Sequence, residues 1–148
     1  MALTFKIRVQ ASPEAVFDDL ADVTRHPEWA NPKASMRMDD LSGGAPGPGH
    51  KYRSTGVFVG KQVSADIQVT AFERPTRFAI RSDQHQEGKK DVWYQNDYQL
   101  ESADGGTLLR KTVTSNGNPV MLFIAYPAVR ADAMTSLRNL KSRVESAV

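Results

Sequence analysis

The chain opens with a regular alternation of apolar and polar side chains. In LTFKIRVQ, single polar residues separate Leu3, Phe5, Ile7 and Val9. A period of two places successive apolar side chains on the same face of an extended chain. The pattern predicts an initial β-strand with one buried and one solvated face.

The next segment, ASPEAVFDDLADVTRHPEWANP, has the pattern of a helix start. The Ser12 hydroxyl can cap an unpaired backbone N–H, and Pro13 is tolerated at the first helical position. A second short helix is predicted to end near Trp29, because the Asn-Pro pair that follows disfavours helical backbone. We expect Trp29 to anchor this second helix on the sheet, and we expect His26, beside Pro27, to lie near the surface.

A glycine- and proline-rich stretch then interrupts the pattern. It follows a short, weak strand, SMRMDDL, and it places four glycines and two prolines in SGGAPGPGH at 42–50. This composition is typical of an irregular connection. We expect a flexible loop that covers the entrance to a cavity.

Beyond this loop the alternation returns in five further strands. Turns are predicted near Gly60 and at 104–106, and Gly56 is a second candidate bend point. Asp66 and Arg81 fall on the solvated face. The opposite face of two of these strands is predicted to carry Val63, Ala65, Ile67, Val69 and Ala71, and Val92, Tyr94, Asn96, Tyr98 and Leu100.

Helical spacing replaces the alternation in the last 30 residues. Apolar residues recur three or four positions apart from Val120 to Val144, but their stripe drifts where Pro127 falls. Because proline removes a helical hydrogen bond, we predict a kink or restart at 125–127. A firm helix is predicted from about 128 to 145.

This order of elements predicts an α+β domain that spans 1–148. About seven antiparallel strands make a sheet roughly 30 Å wide, whereas one helix covers about 10 Å of it. The sheet can bury its apolar face by curling around the long C-terminal helix, which leaves space at the open end. That space is either a cavity suited to an apolar molecule or a core filled by large side chains.

Composition and charge narrow the classes of function. The net charge is +2, from 19 basic and 17 acidic residues, and no dense Lys/Arg run points to nucleic acid as a partner. The absence of cysteine excludes disulfides and thiolate chemistry. We find no secretory h-region and no apolar run near the ~18 residues of a membrane span. We therefore predict a cytoplasmic protein without integral membrane association.

The histidines do not form a metal-binding pattern. His26, His50 and His85 are far apart in the sequence, and no two of them are spaced i, i+4. The loop at 42–50 also lacks the spacing of a phosphate-binding loop. We predict no metal and no cofactor. His26 keeps an alternative role as a general base, since a histidine pKa lies near neutrality.

The inward face of the sixth strand carries the most chemistry. An Asn96 side chain flanked by Tyr94 and Tyr98 needs hydrogen-bond partners, from the protein, from water or from a ligand. If the cavity is catalytic, these three residues could polarise a carbonyl, and they are the candidate catalytic residues. The predicted ligand-binding residues are Tyr52, Ile67, Val69, Phe78, Ile80, Tyr94, Asn96, Tyr98, Phe123, Tyr126 and Met134.

Four segments together resemble the SRPBCC superfamily: ASPEAVFDDLADVTRHPEWANP, VTAFERPTRFAIRS, DGGTLLRKTV and SLRNLKSRVE. This group includes START lipid-transfer domains, the birch-pollen allergen and polyketide cyclase/dehydrase-like proteins. The resemblance covers nearly the whole chain and implies a helix-grip fold, β-α-α-β6-α. It also implies a hydrophobic pocket between the sheet and the C-terminal helix. It supplies no shared catalytic signature, and the fold alone does not fix a function.

These expectations favour the binding or transport of a small hydrophobic molecule, such as a lipid, quinone-like or polyketide-like compound. One alternative is an enzyme of the polyketide cyclase or aromatase kind that uses polar groups in the same cavity. Another is a regulatory or structural partner protein with a filled core. The sequence gives no signal for the oligomeric state.

Overall fold

The computed structural model describes residues 2–58, 60–86 and 88–147. Seven strands and two α-helices account for most of them. The second predicted helix is a 3-10 helix. In chain order the elements are β1 (Ala2–Val9), α1 (Pro13–Ala21), 3-10 helices at Val23–Glu28 and Pro32–Ala34, β2 (Arg37–Asp40), β3 (Lys51–Phe58), β4 (Lys61–Glu73), β5 (Arg77–His85), β6 (Val92–Ala103), β7 (Gly106–Ser115) and α2 (Pro119–Ser146).

The strands form one antiparallel sheet in the order β1-β7-β6-β5-β4-β3-β2. Strands β2 to β7 pair in sequence order, and β1 pairs with β7, so the beginning of the chain forms one edge. The sheet curves around the long C-terminal helix. This arrangement confirms the predicted α+β class and the helix-grip fold.

A β-bulge in β4 changes which residues face inward. The register of β4 against β5 shifts between Val69 and Ala71, so that Phe72, not Ala71, pairs with Phe78 on the inner face. The sequence prediction for Ala71 is therefore wrong. The bulge brings Phe72 to 5.1 Å from Phe17, measured between ring centroids in an edge-to-face contact. Such a contact adds stability beyond the area that it buries.

Helix α1 and the second half of α2 cover part of the inner face. Ser12 caps α1 by accepting a hydrogen bond from the Ala15 backbone N–H, as its sequence predicts. Phe17, Phe78 and Leu137 have no exposed surface in the core between these helices and the sheet. Burial of each such side chain contributes about 1.5–3 kcal/mol.

Helix α2 is continuous, so the predicted restart at 125–127 is wrong, and a kink there stays a prediction. Pro127 lies inside the helix and is exposed. The backbone carbonyl of Phe123, which would bond to residue 127 in a regular helix, can bond to water there instead. The buried residues of α2 all come after position 132. We call 119–131 the apolar half of α2 and 132–146 its anchored half.

Candidate functional site

Along β6 and β7, the side chains of the inner face change from buried at one end of the sheet, the closed end, to half-buried at the other, the open end. At the closed end, Tyr98, Leu100 and Leu109 are buried. At the open end the side chains are half-buried. The cross-strand pairs of this face, from the closed to the open end, are Leu100 with Leu109, Tyr98 with Lys111, Asn96 with Val113, and Tyr94 with Ser115.

The apolar half of α2 runs along this open end. The helix begins at Pro119, shortly after β7 ends at Ser115. Near its other end the Glu145 carboxylate accepts a hydrogen bond from the Gln10 backbone N–H, at 2.8 Å, just beyond β1. Since the end of β1 lies beside the start of β7, α2 runs from the end of β7 back toward the end of β1, and it packs mainly against β1. Residues 119–131 therefore begin at the end of the sheet where the inner face is half-buried.

The two halves of α2 are attached very differently. Arg143 forms ion pairs with Asp19, at 3.0 Å, and with Glu28, at 2.7 Å, and Asp132 accepts a hydrogen bond from Asn31. Among the described residues, no comparable contact holds the side chains of 119–131. Four apolar side chains there are between 60% and 77% exposed, and a fifth is 39% exposed: Val120, Met121, Phe123, Ile124 and Tyr126. Exposed apolar side chains of α2 thus accompany half-buried side chains of the inner face at this end of the sheet, and we call the region between them the groove.

By length and composition, α2 is apolar enough to cross a membrane. An 18-residue window of this helix is predominantly apolar, and 17% of that window is buried inside the domain. The sequence expectation that no apolar run approaches this length is therefore wrong for this helix. Its anchored half contributes Leu137, Leu140 and Val144 to the core of the folded domain.

The structure distributes the predicted ligand-binding residues over three environments. Tyr94 and Asn96 are half-buried at the open end, and Met134 packs against the core. Phe123 and Tyr126 are exposed on α2. The remaining six are buried on the inner face: Tyr52, Ile67, Val69, Phe78, Ile80 and Tyr98.

Three polar side chains of the inner face have no hydrogen-bond partner among the described residues. Neither the Asn96 amide nor the hydroxyls of Tyr94 and Tyr98 hydrogen-bond to a described group. Burial raises the pKa of Tyr94, so its hydroxyl stays protonated as a donor. These groups are free to bind water or a ligand. Lys111 joins them with its amine 5.5 Å from the Tyr98 ring centroid.

Lys111 was missed by the sequence reasoning, although a signal was present. In TLLRKTVTS it occupies the inward position between Leu109 and Val113. The same alternation that identified the apolar face of β6 places Lys111 on that face.

His26 is buried, and the prediction of a surface position is wrong. Its Nε2–H donates to the Leu20 backbone carbonyl at 2.6 Å, because the 3-10 helix turns the ring inward. Burial lowers the pKa of His26 to about 4, so the ring is neutral at pH 7. Trp29 lies 4.6 Å away between ring centroids and is buried in the core, as predicted. Its Nε1–H has no acceptor among the described residues.

The other two histidines bind carboxylates at separate places. His50 donates a hydrogen bond to the Asp40 carboxylate at 2.7 Å. The same carboxylate accepts a hydrogen bond from the Gly43 backbone N–H. These two contacts hold the start of the 42–50 loop beside β2 and β3. His85 lies between Asp91 and Asp66 on the solvated face. Hydrogen bonds to these two carboxylates raise the pKa of His85. Within the described ranges, no group of three or more potential metal ligands is found.

Two depressions lie around β3 and β4. One of about 610 Å³ follows the β3–β4 hairpin between Ser35 and Gln86, and one of about 340 Å³ lies between Leu41 and Asp83. Neither is lined by a residue of α2. They are distinct from the groove between the inner face and the apolar half of α2.

Comparisons with known proteins agree with the architecture. The family described as "Polyketide cyclase / dehydrase and lipid transport" matches residues 2–145. No curated protein matches the sequence. Protein Ms6760 from Mycobacterium smegmatis is a similar structure, with a TM-score of 0.74 and 18% identity over 99% of this chain and 92% of that one.

Two further solved structures share the fold at low identity. Ara h 8.0201 has a TM-score of 0.66 and 18% identity over 99% of this chain and 98% of its own. DynU16, from the dynemicin biosynthetic locus, has a TM-score of 0.67 and 20% identity, over 99% of this chain and 48% of its own.

Proposed function

The chain belongs to the polyketide cyclase/dehydrase and lipid transport family, and from this premise we propose that it binds a small hydrophobic molecule in the groove between the inner face and the apolar half of α2. One observation carries the proposal: the apolar half of α2 keeps five apolar side chains exposed at the end of the sheet where the inner face is only half-buried. Exposed patches of this kind are typical of binding sites, because covering them with an apolar partner releases water. A cytoplasmic location is part of the same proposal.

The groove also offers polar groups that can orient a ligand. The Asn96 amide can donate and accept hydrogen bonds, and the protonated Tyr94 hydroxyl can donate one. A mostly apolar site with a few polar groups is the usual composition of a small-molecule site. A lipid, a quinone-like or a polyketide-like compound has the matching chemistry.

A matched pair of substitutions on β7 tests the proposal. Val113 faces the groove, and its neighbour Thr112 faces the opposite side of the sheet. We expect Val113→Trp to fill the groove and weaken the binding of 1-pyrenebutanol or 1-dodecanol by at least about tenfold, a loss near 1.4 kcal/mol. Thr112→Trp should bind like the unchanged protein. Isothermal titration calorimetry measures both, and equal binding by the two variants would contradict the proposed location.

A cyclase activity in the same groove is the second candidate. It is favoured by the Asn96 amide, which has no hydrogen-bond partner among the described residues and lies between two tyrosines on the inner face. An amide and a phenol can stabilise a developing oxyanion. Turnover of a linear poly-β-ketone by the unchanged protein, and its loss in Asn96→Ala, would support this function. Turnover that survives Asn96→Ala and Tyr94→Phe would exclude the proposed roles of these residues.

A further inference from the structure

Lys111 is the one charged side chain on the inner face of β1, β5, β6 and β7, strands whose residues are all described. Phe5 of β1 pairs with it on one side and Tyr98 of β6 on the other. The side chain is half-buried, and its amine lies 5.5 Å from the Tyr98 ring centroid. A lysine thus interrupts an otherwise uncharged surface.

No described carboxylate pairs with Lys111. On the solvated face, by contrast, arginines are paired, as in Arg77 with Asp97 at 2.7 Å and Arg53 with Asp66 at 3.1 Å. Partial removal of an ammonium from water costs free energy unless an opposite charge compensates it. The Tyr98 ring offsets part of this cost by a cation–π contact. An anion beside Lys111 would offset more.

A second hydrogen-bond donor without an acceptor belongs to the same cluster of side chains. The Phe78 ring contacts Tyr98 on one side and His26 on the other, at centroid distances of 6.4 Å and 6.5 Å. Trp29, beside His26, keeps its Nε1–H buried and without an acceptor among the described residues. The Lys111 amine contacts the other end of this chain of rings, at Tyr98. The cluster therefore holds a lysine amine without a described carboxylate partner and a buried indole N–H without a described acceptor.

We propose that the ligand is an amphiphile with one anionic oxygen group, such as a carboxylate, which binds Lys111 while its apolar part lies under the apolar half of α2. The inference rests on the proposed function and adds the chemical class of the ligand. An ammonium–carboxylate pair is stronger than a neutral hydrogen bond, and its strength increases where water is partly excluded.

Two pairs of probes separate the charge of a ligand from its apolar surface. They are lauric acid with 1-dodecanol, and 1-pyrenebutyric acid with 1-pyrenebutanol. Their affinities are measured by titration calorimetry at pH 7.5 for the unchanged protein, Lys111→Met and Lys6→Met. Lys6 lies on the exposed, opposite face of β1, so its substitution changes the net charge equally without touching the groove. Lys111→Gln is a second variant in case Lys111→Met fails to fold, as judged by circular dichroism.

For the unchanged protein, we expect each acid to bind about 10- to 100-fold more tightly than its alcohol. This range corresponds to the free energy that a hydrogen bond to a charged group contributes. Lys111→Met should remove this preference and leave the affinity for the alcohols within about twofold, whereas Lys6→Met should keep the preference. Equal affinity of acid and alcohol for the unchanged protein would overturn the inference and leave the proposed function intact. An acid preference that survives in Lys111→Met would also overturn it. Failure of all four probes to bind would contradict the proposed function itself.

Discussion

The buried His26 makes a sharp prediction about stability in acid. Burial lowers its folded-state pKa from the ordinary 6.5 to about 4. The unfolded chain therefore binds a proton between these pH values that the folded chain does not, and stability falls as the pH falls through this range. One pKa unit corresponds to about 1.4 kcal/mol. Protonation of His26 alone should therefore lower the free energy of unfolding by about 3 kcal/mol between pH 6.5 and pH 4.

The variant His26→Gln isolates this contribution from the titration of carboxylates. Glutamine has no proton to gain in this range, and its amide can still donate to the Leu20 carbonyl. Urea unfolding of both proteins from pH 7.5 to pH 4 gives the free energy of unfolding at each pH. We expect the difference, unchanged protein minus variant, to fall by about 3 kcal/mol on acidification.

A constant difference across this range would refute the reasoning, because it would mean that His26 titrates alike in both states. His85→Gln provides a control of opposite sign. Hydrogen bonds to Asp91 and Asp66 raise the pKa of the exposed His85. Its stabilising contribution is present below pH 6.5 and is lost as the pH rises through the folded-state pKa.

Backbone and core substitutions give further expectations, each measured by urea unfolding at pH 7. Gly106→Ala should cost about 1–3 kcal/mol, because its Cβ would lie 2.4 Å from the Val9 carbonyl oxygen. Gly47→Ala, whose Cβ would meet nothing within 4 Å, should change the free energy of unfolding by less than about 0.5 kcal/mol, and equal effects at both glycines would contradict the contact. Leu137→Ala in the anchored half of α2 should cost about 2–5 kcal/mol, whereas Phe123→Ala in the apolar half should cost little. A comparable loss for Phe123→Ala would show that the apolar half is packed in solution.

Local patterns were sufficient to predict most of the strands and helices. Alternation identified the strands, the Ser-Pro pair identified the start of α1, and the turn at 104–106 appears as expected, with positive φ at Asp104 and Gly105. These features depend on neighbours along the chain. The helix-grip fold followed from their order and from the resemblance that they support.

What the sequence could not predict depends on contacts between distant residues. The bulge that turns Phe72 inward is stabilised by Phe17 and Phe78, and no local pattern requires it. The burial of His26 depends on the Leu20 carbonyl and on the core around it. The difference between the two halves of α2 depends on the ion pairs of Arg143 with Asp19 and Glu28, residues more than 100 positions away in the sequence.

The most direct test of the central claim is an NMR titration with 1-pyrenebutanol that follows backbone amide shifts. If the groove binds the probe, the largest changes should occur at Tyr94, Asn96, Val113 and residues 119–131. Amides around Arg53 and Asp66, on the solvated face, should be unaffected. Changes confined to the depression near the β3–β4 hairpin, with none at Asn96 or Val113, would contradict a ligand site between the inner face and α2.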